Sequence, residues 1–190
     1  MFKNKTGFFT AAIILLVFFG SCASGAKSRE AVLYAFLTDN SRYILLPTGG
    51  IDKPIDMAQY ISASFMGREF LMAAWVKADE TAIEMTLLNE LGINIGELSY
   101  SDGAISFSSQ ALADLLKPEY IIADFQLCFY NASSLSRALK GCGLILETNG
   151  TFRRIFRGKD LIYEIEKSAG MVKLTNHLRG YSYTLEGDFS

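Results

Sequence analysis

The stretch Tyr60-Ile-Ser-Ala-Ser-Phe-Met-Gly-Arg-Glu-Phe-Leu-Met-Ala-Ala-Trp-Val-Lys77 decides the fold. In its first half Ile61, Ala63 and Phe65 alternate with Ser62 and Ser64, the period of two that sends successive side chains to opposite faces of a strand. Gly67 turns the chain. Residues 70–77 are then apolar on both faces: Phe70, Met72, Ala74 and Val76 on one, Leu71, Ala73 and Trp75 on the other. After the polar turn Asp79-Glu80, Ile83, Met85 and Leu87 alternate with Glu84, Thr86 and Leu88. Leu91-Gly92 interrupts this strand. Ile93 and Ile95 resume it, and Gly96 shifts the phase so that Leu98 and Tyr100 continue, which predicts a bulge. Asp102-Gly103 is the strongest hairpin signal in the chain, leading to Ile105 and Phe107. Loops this short join neighbouring antiparallel strands and leave no room for helical crossovers.

A helical block follows. Ser108 or Ser109 predicts the cap of a helix carrying Leu112, Leu115 and Leu116. Pro118 suits a first helical position, and from there Ile121, Ile122, Phe125, Cys128 and Phe129 share one face up to Asn131. Ser133 or Ser134 predicts the cap of a short helix with Leu135, Ala138 and Leu139, closed by Gly141. Strands return at residues 144–147, before Asn149-Gly150, a type I′ hairpin signal. Residues 151–157 alternate, Gly158-Lys159-Asp160 turns into Leu161, Tyr163 and Ile165, and Val172, Leu174, Tyr181, Tyr183 and Leu185 mark the last strands. Arg42 opens a short strand ahead of Pro47. The expected class is therefore α+β: an antiparallel, unclosed β half-barrel of nine to eleven strands with two or three helices plugging the opening, over residues 41–190.

The N-terminus reads differently. Lys3 and Lys5 precede an apolar run at residues 8–20, too short for the roughly 20 residues of a spanning helix but fitting the hydrophobic region of a signal peptide. Phe19-Gly20-Ser21-Cys22 resembles a bacterial lipobox. It implies a signal peptide at 1–21, lipidation at Cys22, and a tether at 22–40. Diacyl anchoring holds a protein at a membrane where one chain does not. Ala23 after the Cys, by resemblance to enteric sorting, implies the outer membrane, with the domain on its periplasmic face. Cleavage after Ala23 or Gly25, giving a free periplasmic protein, is the alternative. For Cys128 and Cys142, a disulfide and two free thiols both fit.

The composition excludes several functions. The chain has 190 residues, 50% hydrophobic, 13% aromatic and 20% charged, which argues against disorder. A net charge of -2 gives no electrostatic case for nucleic acid. The single His, His177, reads as a surface residue, so no metal site, no cofactor and no catalytic residue is expected. Arg153, Arg154, Arg157 and Lys159 form a basic cluster, read as a solvated strand face with Glu partners or as a patch for anionic headgroups. What remains is an apolar surplus: a mean hydropathy of +0.22 and strands greasy on both faces, which need cover other than water. A sheet curled around a helical block leaves a groove. The candidate lining is Phe65, Phe70, Met72, Met85, Leu87, Phe107, Phe125 and Phe129, with adaptable Met side chains suited to varied apolar ligands.

Residues 61–109 resemble the outer-membrane lipoprotein receptor LolB and its periplasmic partner LolA. The shared pattern is a strand ending near Phe65-Met66-Gly67, then 70–75, 83–87, Leu91-Gly92, and Leu98-Ser99-Tyr100-Ser101-Asp102-Gly103-Ala104-Ile105. Asp124-Phe125-Gln126-Leu127 is similar to a segment of a family of uncharacterised proteobacterial lipoproteins (a domain of unknown function) found in aryl polyene and lipid biosynthesis clusters. The resemblance implies an unclosed barrel of about eleven strands and a hydrophobic cavity for acyl chains. It also implies a lipid, glycolipid or lipoprotein ligand carried or placed at the outer membrane, with a periplasmic donor protein as a partner. LolB has an exposed Leu-tipped loop, whereas Gly67-Arg68-Glu69 and Ala78-Asp79-Glu80 are polar, which favours lipid or glycolipid carriage. The alternatives are a structural or scaffold lipoprotein with a filled core and, third, a lipid or thioester hydrolase using a Ser or Cys close to His177.

Overall fold

A computed structural model describes residues 32–65, 67–101, 103–112 and 116–189. The signal peptide and Cys22 lie outside these residues, as do Met66, Asp102 and the Leu115 end of the helix expected after Ser109. Strands β1 (Tyr34–Phe36) and β2 (Arg42–Ile44) form a small ribbon. The main sheet holds β3 (Ile55–Phe65), β4 (Arg68–Ala78), β5 (Ile83–Leu88), β6 (Asn94–Ser101), β7 (Ala104–Ser108), β8 (Ile145–Thr148), β9 (Phe152–Arg157), β10 (Asp160–Ser168), β11 (Met171–Asn176) and β12 (Tyr181–Glu186). Between β7 and β8 come the helices α1 (Pro118–Phe129) and α2 (Ala132–Gly141). The ten strands run in the order β7-β6-β5-β4-β3-β12-β11-β10-β9-β8, all antiparallel, and the two end strands do not pair. The sheet is open, and the expected mostly antiparallel, unclosed architecture with helices holds.

The period-two reading of residues 60–77 matches this sheet. Phe65 pairs with Arg68 across a two-residue turn in which Gly67 takes φ 74°, a left-handed value that glycine adopts without strain. Ser101 pairs with Ala104 in the same way, with Gly103 at φ 73°. The bulge expected near Gly96 is present: Leu87 pairs with Gly96 but Leu88 with Asn94, leaving Ile95 unopposed. The Asn149-Gly150 signal does not give a two-residue turn. Thr148 pairs with Arg153, because Asn149 Oδ1 accepts from the N–H groups of Thr151 and Phe152 at 3.2 and 3.1 Å and widens the loop.

The folded unit begins N-terminal of residue 41. Ala35 and Leu37, expected in the tether, are buried, with Tyr43 and Leu45 beside them. The ribbon is fastened to α1 by one amide. Gln126 Oε1 accepts from the Tyr43 hydroxyl and the Leu46 N–H, both at 3.0 Å, and its Nε2 donates to the Leu46 carbonyl at 2.8 Å. Pro118 opens α1 as expected. Residues 122–129 of that helix are all buried, so it has no solvated face. Helix α2 is capped by Asn131, whose side chain accepts from the Ser134 N–H at 2.9 Å; neither Ser133 nor Ser134 is the cap. The left-handed residue past its end is Gly143 (φ 80°), two positions beyond the expected Gly141. Gln110, Ala111 and Leu112 form turns, with Ser109 Oγ accepting from the Leu112 N–H at 2.9 Å.

Helix α1 packs on the inner face of the sheet. It meets β12 through Tyr181, β9 through Arg153 and the ribbon through Gln126. One continuous core joins helix, ribbon and sheet. Among the described residues, no helix is long and apolar enough to cross a membrane.

Candidate functional site

The strand registers put Phe65, Phe70, Met72, Met85, Leu87 and Phe107 on the inner face. Phe70 stands opposite Ala63, Val76 opposite Met85, Ala74 opposite Leu87, and Leu98 opposite Phe107. The structure divides the eight candidate residues into two groups. Met85, Leu87, Phe125 and Phe129 belong to the packed core, and Phe107 is half-buried against it. The Phe125 and Phe129 rings lie 4.9 Å apart, and Phe189 stacks on Phe129 at 5.7 Å. Phe65, Phe70 and Met72 lie at the far end of the β3–β4 hairpin, where β5 no longer flanks β4. Phe65 is 47% exposed, Phe70 44%, and Met72 is half-buried.

The outer face of this hairpin is mixed, with Leu71 and Trp75 exposed among Ser62, Ser64 and Glu69. Neither of two shallow depressions, about 370 and 320 Å³, includes any of the eight. The first lies beside Leu46, Pro47, Ser134 and Arg137, the second beside Phe152, Arg154, Glu166 and Lys167.

Beside the open end sits a polar cluster that the apolar reading of α1 overlooks. Tyr163, Asn176, Tyr181 and Phe65 stand at one level on neighbouring strands, β10, β11, β12 and β3. Asp124 of α1 faces this row, and its Oδ2 accepts from the Tyr181 hydroxyl at 2.8 Å. The Tyr163 and Tyr181 hydroxyls are 3.5 Å apart. One helical turn on, Cys128 lies beside Tyr183. The spacings agree: residues i and i+4 of a helix and i and i+2 of a strand both advance about 6–7 Å. Burial raises the Asp124 carboxyl to about 7, against the pull of the Tyr181 hydrogen bond and the Arg179 charge. Burial likewise pushes the Cys128 thiol up to about 12, with Asp124 adding to the rise. A thiol held protonated in this way is a poor nucleophile. The signal for this cluster lay in the sequence as Asp124 and Cys128 four apart, and Tyr181 and Tyr183 two apart.

The basic cluster expected on a solvated face is split by the strand alternation. Arg153 points inward, is buried, and donates to the Leu127 and Tyr130 carbonyls at 2.7 and 2.6 Å. It caps the C-terminal end of α1, where the helix dipole favours a cation. Arg154 points outward and pairs with Glu164 at 2.7 Å, and Arg157 approaches Asp160 at 4.0 Å. His177 is exposed, 3.8 Å from Glu164. Cys128 and Cys142 are free thiols.

No curated protein matches the chain. A family model does match, over residues 56–187, which takes in the whole sheet apart from the first residue of β3 together with the α1 cluster; the chain belongs to the family described as Protein of unknown function (DUF3261).

Proposed function

We propose that the protein is an envelope lipoprotein that binds the acyl chain of a lipid, glycolipid or lipoprotein against the inner face of its sheet and carries or places it at the outer membrane. The observation that supports this reading best is the open end of the β3–β4 hairpin. There Phe65, Phe70 and Met72 face inward and are left half covered by the protein itself. Apolar burial is worth about 25 cal/mol per Å², so a chain laid along these side chains gains affinity without any bond chemistry. In this reading the fold is an acyl-binding half-barrel akin to LolB. The N-terminal segment anchors the domain through lipid on Cys22, and a periplasmic donor protein hands it the acyl-bearing ligand. Metabolic labelling with an alkyne palmitate tests the anchor: label on the wild type and none on Cys22→Ser is expected, and equal labelling contradicts it.

Displacement of the dye N-phenyl-1-naphthylamine tests the groove. Wild-type protein takes up the dye and releases it to fatty alcohols. Phe70→Asp, at a position exposed enough to leave the fold intact, weakens uptake about tenfold or more, since a carboxylate in an apolar groove costs several kcal/mol. Equal uptake by the two proteins contradicts the groove. A scaffold lipoprotein with a filled core is the second reading. The absence of the eight candidate residues from both surface depressions favours it, and it predicts no dye uptake.

A further inference from the structure

We propose that Asp124 and Asn176 form a hydrogen-bonding seat for the neutral polar end of the bound molecule, a hydroxyl or an amide next to its acyl chain. This rests on the acyl-binding reading above. Two side-chain atoms in the cluster make no hydrogen bond within 3.5 Å: Asp124 Oδ1, an acceptor, and Asn176 Nδ2, a donor whose neighbours are the Tyr163 and Tyr181 hydroxyls. Their residues are 7% and 1% exposed. Burial without a partner is unfavourable for either atom, and here two of opposite hydrogen-bonding sense lie in one cluster. Both adjoin Tyr181: Asp124 through its Oδ2, and Asn176 as the cross-strand partner of Tyr181 in the register.

The cluster lies close to the apolar groove. Tyr181 pairs directly with Phe65, the exposed residue at the hairpin end, so two steps across the sheet lead from open apolar surface to Asn176, with Asp124 on the Tyr181 hydroxyl between them. A hydroxyl or an amide N–H can donate to Asp124 Oδ1 while its oxygen accepts from Asn176 Nδ2. An ether has no proton to donate, and a carboxylate has none either and repels the ionised Asp124. The other groups around the seat are the Tyr163, Tyr181 and Tyr183 hydroxyls, the Cys128 thiol and Arg179, which stacks on Tyr120. Of these only Arg179 carries charge at neutral pH, and it already donates to the Phe36 carbonyl.

The test compares 1-dodecanol with dodecyl methyl ether, and both with dodecane, as displacers of the naphthylamine dye at pH 8, where Asp124 is mostly ionised. The wild type is expected to bind the alcohol about tenfold more tightly than the ether, the worth of one charge-assisted hydrogen bond. Asp124→Leu brings that ratio towards one while leaving ether affinity unchanged; Asn176→Leu removes the donor to an oxygen that both ligands carry, so it weakens both relative to dodecane and leaves the ratio near tenfold. A side chain that only supported the fold would weaken alcohol, ether and dodecane alike. Equal affinities for alcohol and ether in the wild type overturn the seat even where the leucine variants fail to fold, and so does a ratio untouched in folded Asp124→Leu. If dye binds and is displaced without preference, the groove stands and the seat falls. If the wild type takes up no dye, both fall.

Discussion

Asn in place of Asp124 will make the protein more stable than the wild type at pH 8, by on the order of 4 kcal/mol relative to the difference at pH 4. The sign follows from proton binding. The ordinary aspartic value is 3.8 and burial lifts the folded value to about 7. Below about pH 4 both folded and unfolded chains hold the proton and the group contributes no pH dependence. Between these limits the unfolded chain has ionised while the folded chain keeps its proton, so each rise in pH costs the wild type stability. Above about pH 7 both are ionised and the loss stays constant. Asparagine cannot ionise, so its stability curve lacks this fall. Urea unfolding of both proteins at pH 4, 6 and 8 checks it. Parallel curves across that range would mean that the carboxyl is not held in an apolar setting, and the seat proposed above would lose its chemistry.

Replacing Arg153 with methionine will lower stability by roughly 3 kcal/mol and the melting temperature by about 6–12 °C. Methionine restores most of the apolar stem but none of the donors. The Leu127 and Tyr130 carbonyls would then be left without the guanidinium that now reaches both, in a buried setting where such atoms are costly. The gain from no longer burying a cation offsets part of this, which keeps the estimate below the sum of two charge-assisted bonds. Arg154→Met is the matched control. Its partner Glu164 is solvated enough that losing the pair costs under about 1 kcal/mol. Equal effects of the two substitutions would remove the distinction between a buried cap and a surface pair.

These two positions also show where the sequence speaks and where it is silent. Strand alternation is a local signal, so the order of strands from Ile61 to Phe107 and which residues share a face can be read directly, whereas which of the two faces turns inward cannot, because that depends on where the helices pack. The phase shift at Gly96 is local in the same sense, because a missing side chain and a doubled residue leave their mark within five positions. Burial of α1 on all sides is not local. Asp124, Gln126 and Arg153 look like surface residues until the sheet curls round the helix, since their partners are 57, 80 and 26 positions away. The short strand Tyr34–Phe36 is hidden for a related reason: it has only three residues, and its pairing with Arg42–Ile44 leaves too little alternation to register.

The groove itself is only partly legible. Sequence supplies an apolar face but not which residues the helices cover. In the structure Met85, Leu87, Phe125 and Phe129 are consumed by the core, and only the hairpin end stays open. The functional claim therefore concerns Phe65, Phe70 and Met72 more than the eight together.

Native mass spectrometry of the full chain, extracted from the envelope of its own host in a mild detergent, puts that claim to the most direct test. The account predicts a species heavier than the protein by one acyl-bearing molecule of defined mass, lost when Phe70 is changed to Asp. The protein mass alone, together with no uptake of a fluorescent fatty acid by the same preparation, would contradict it.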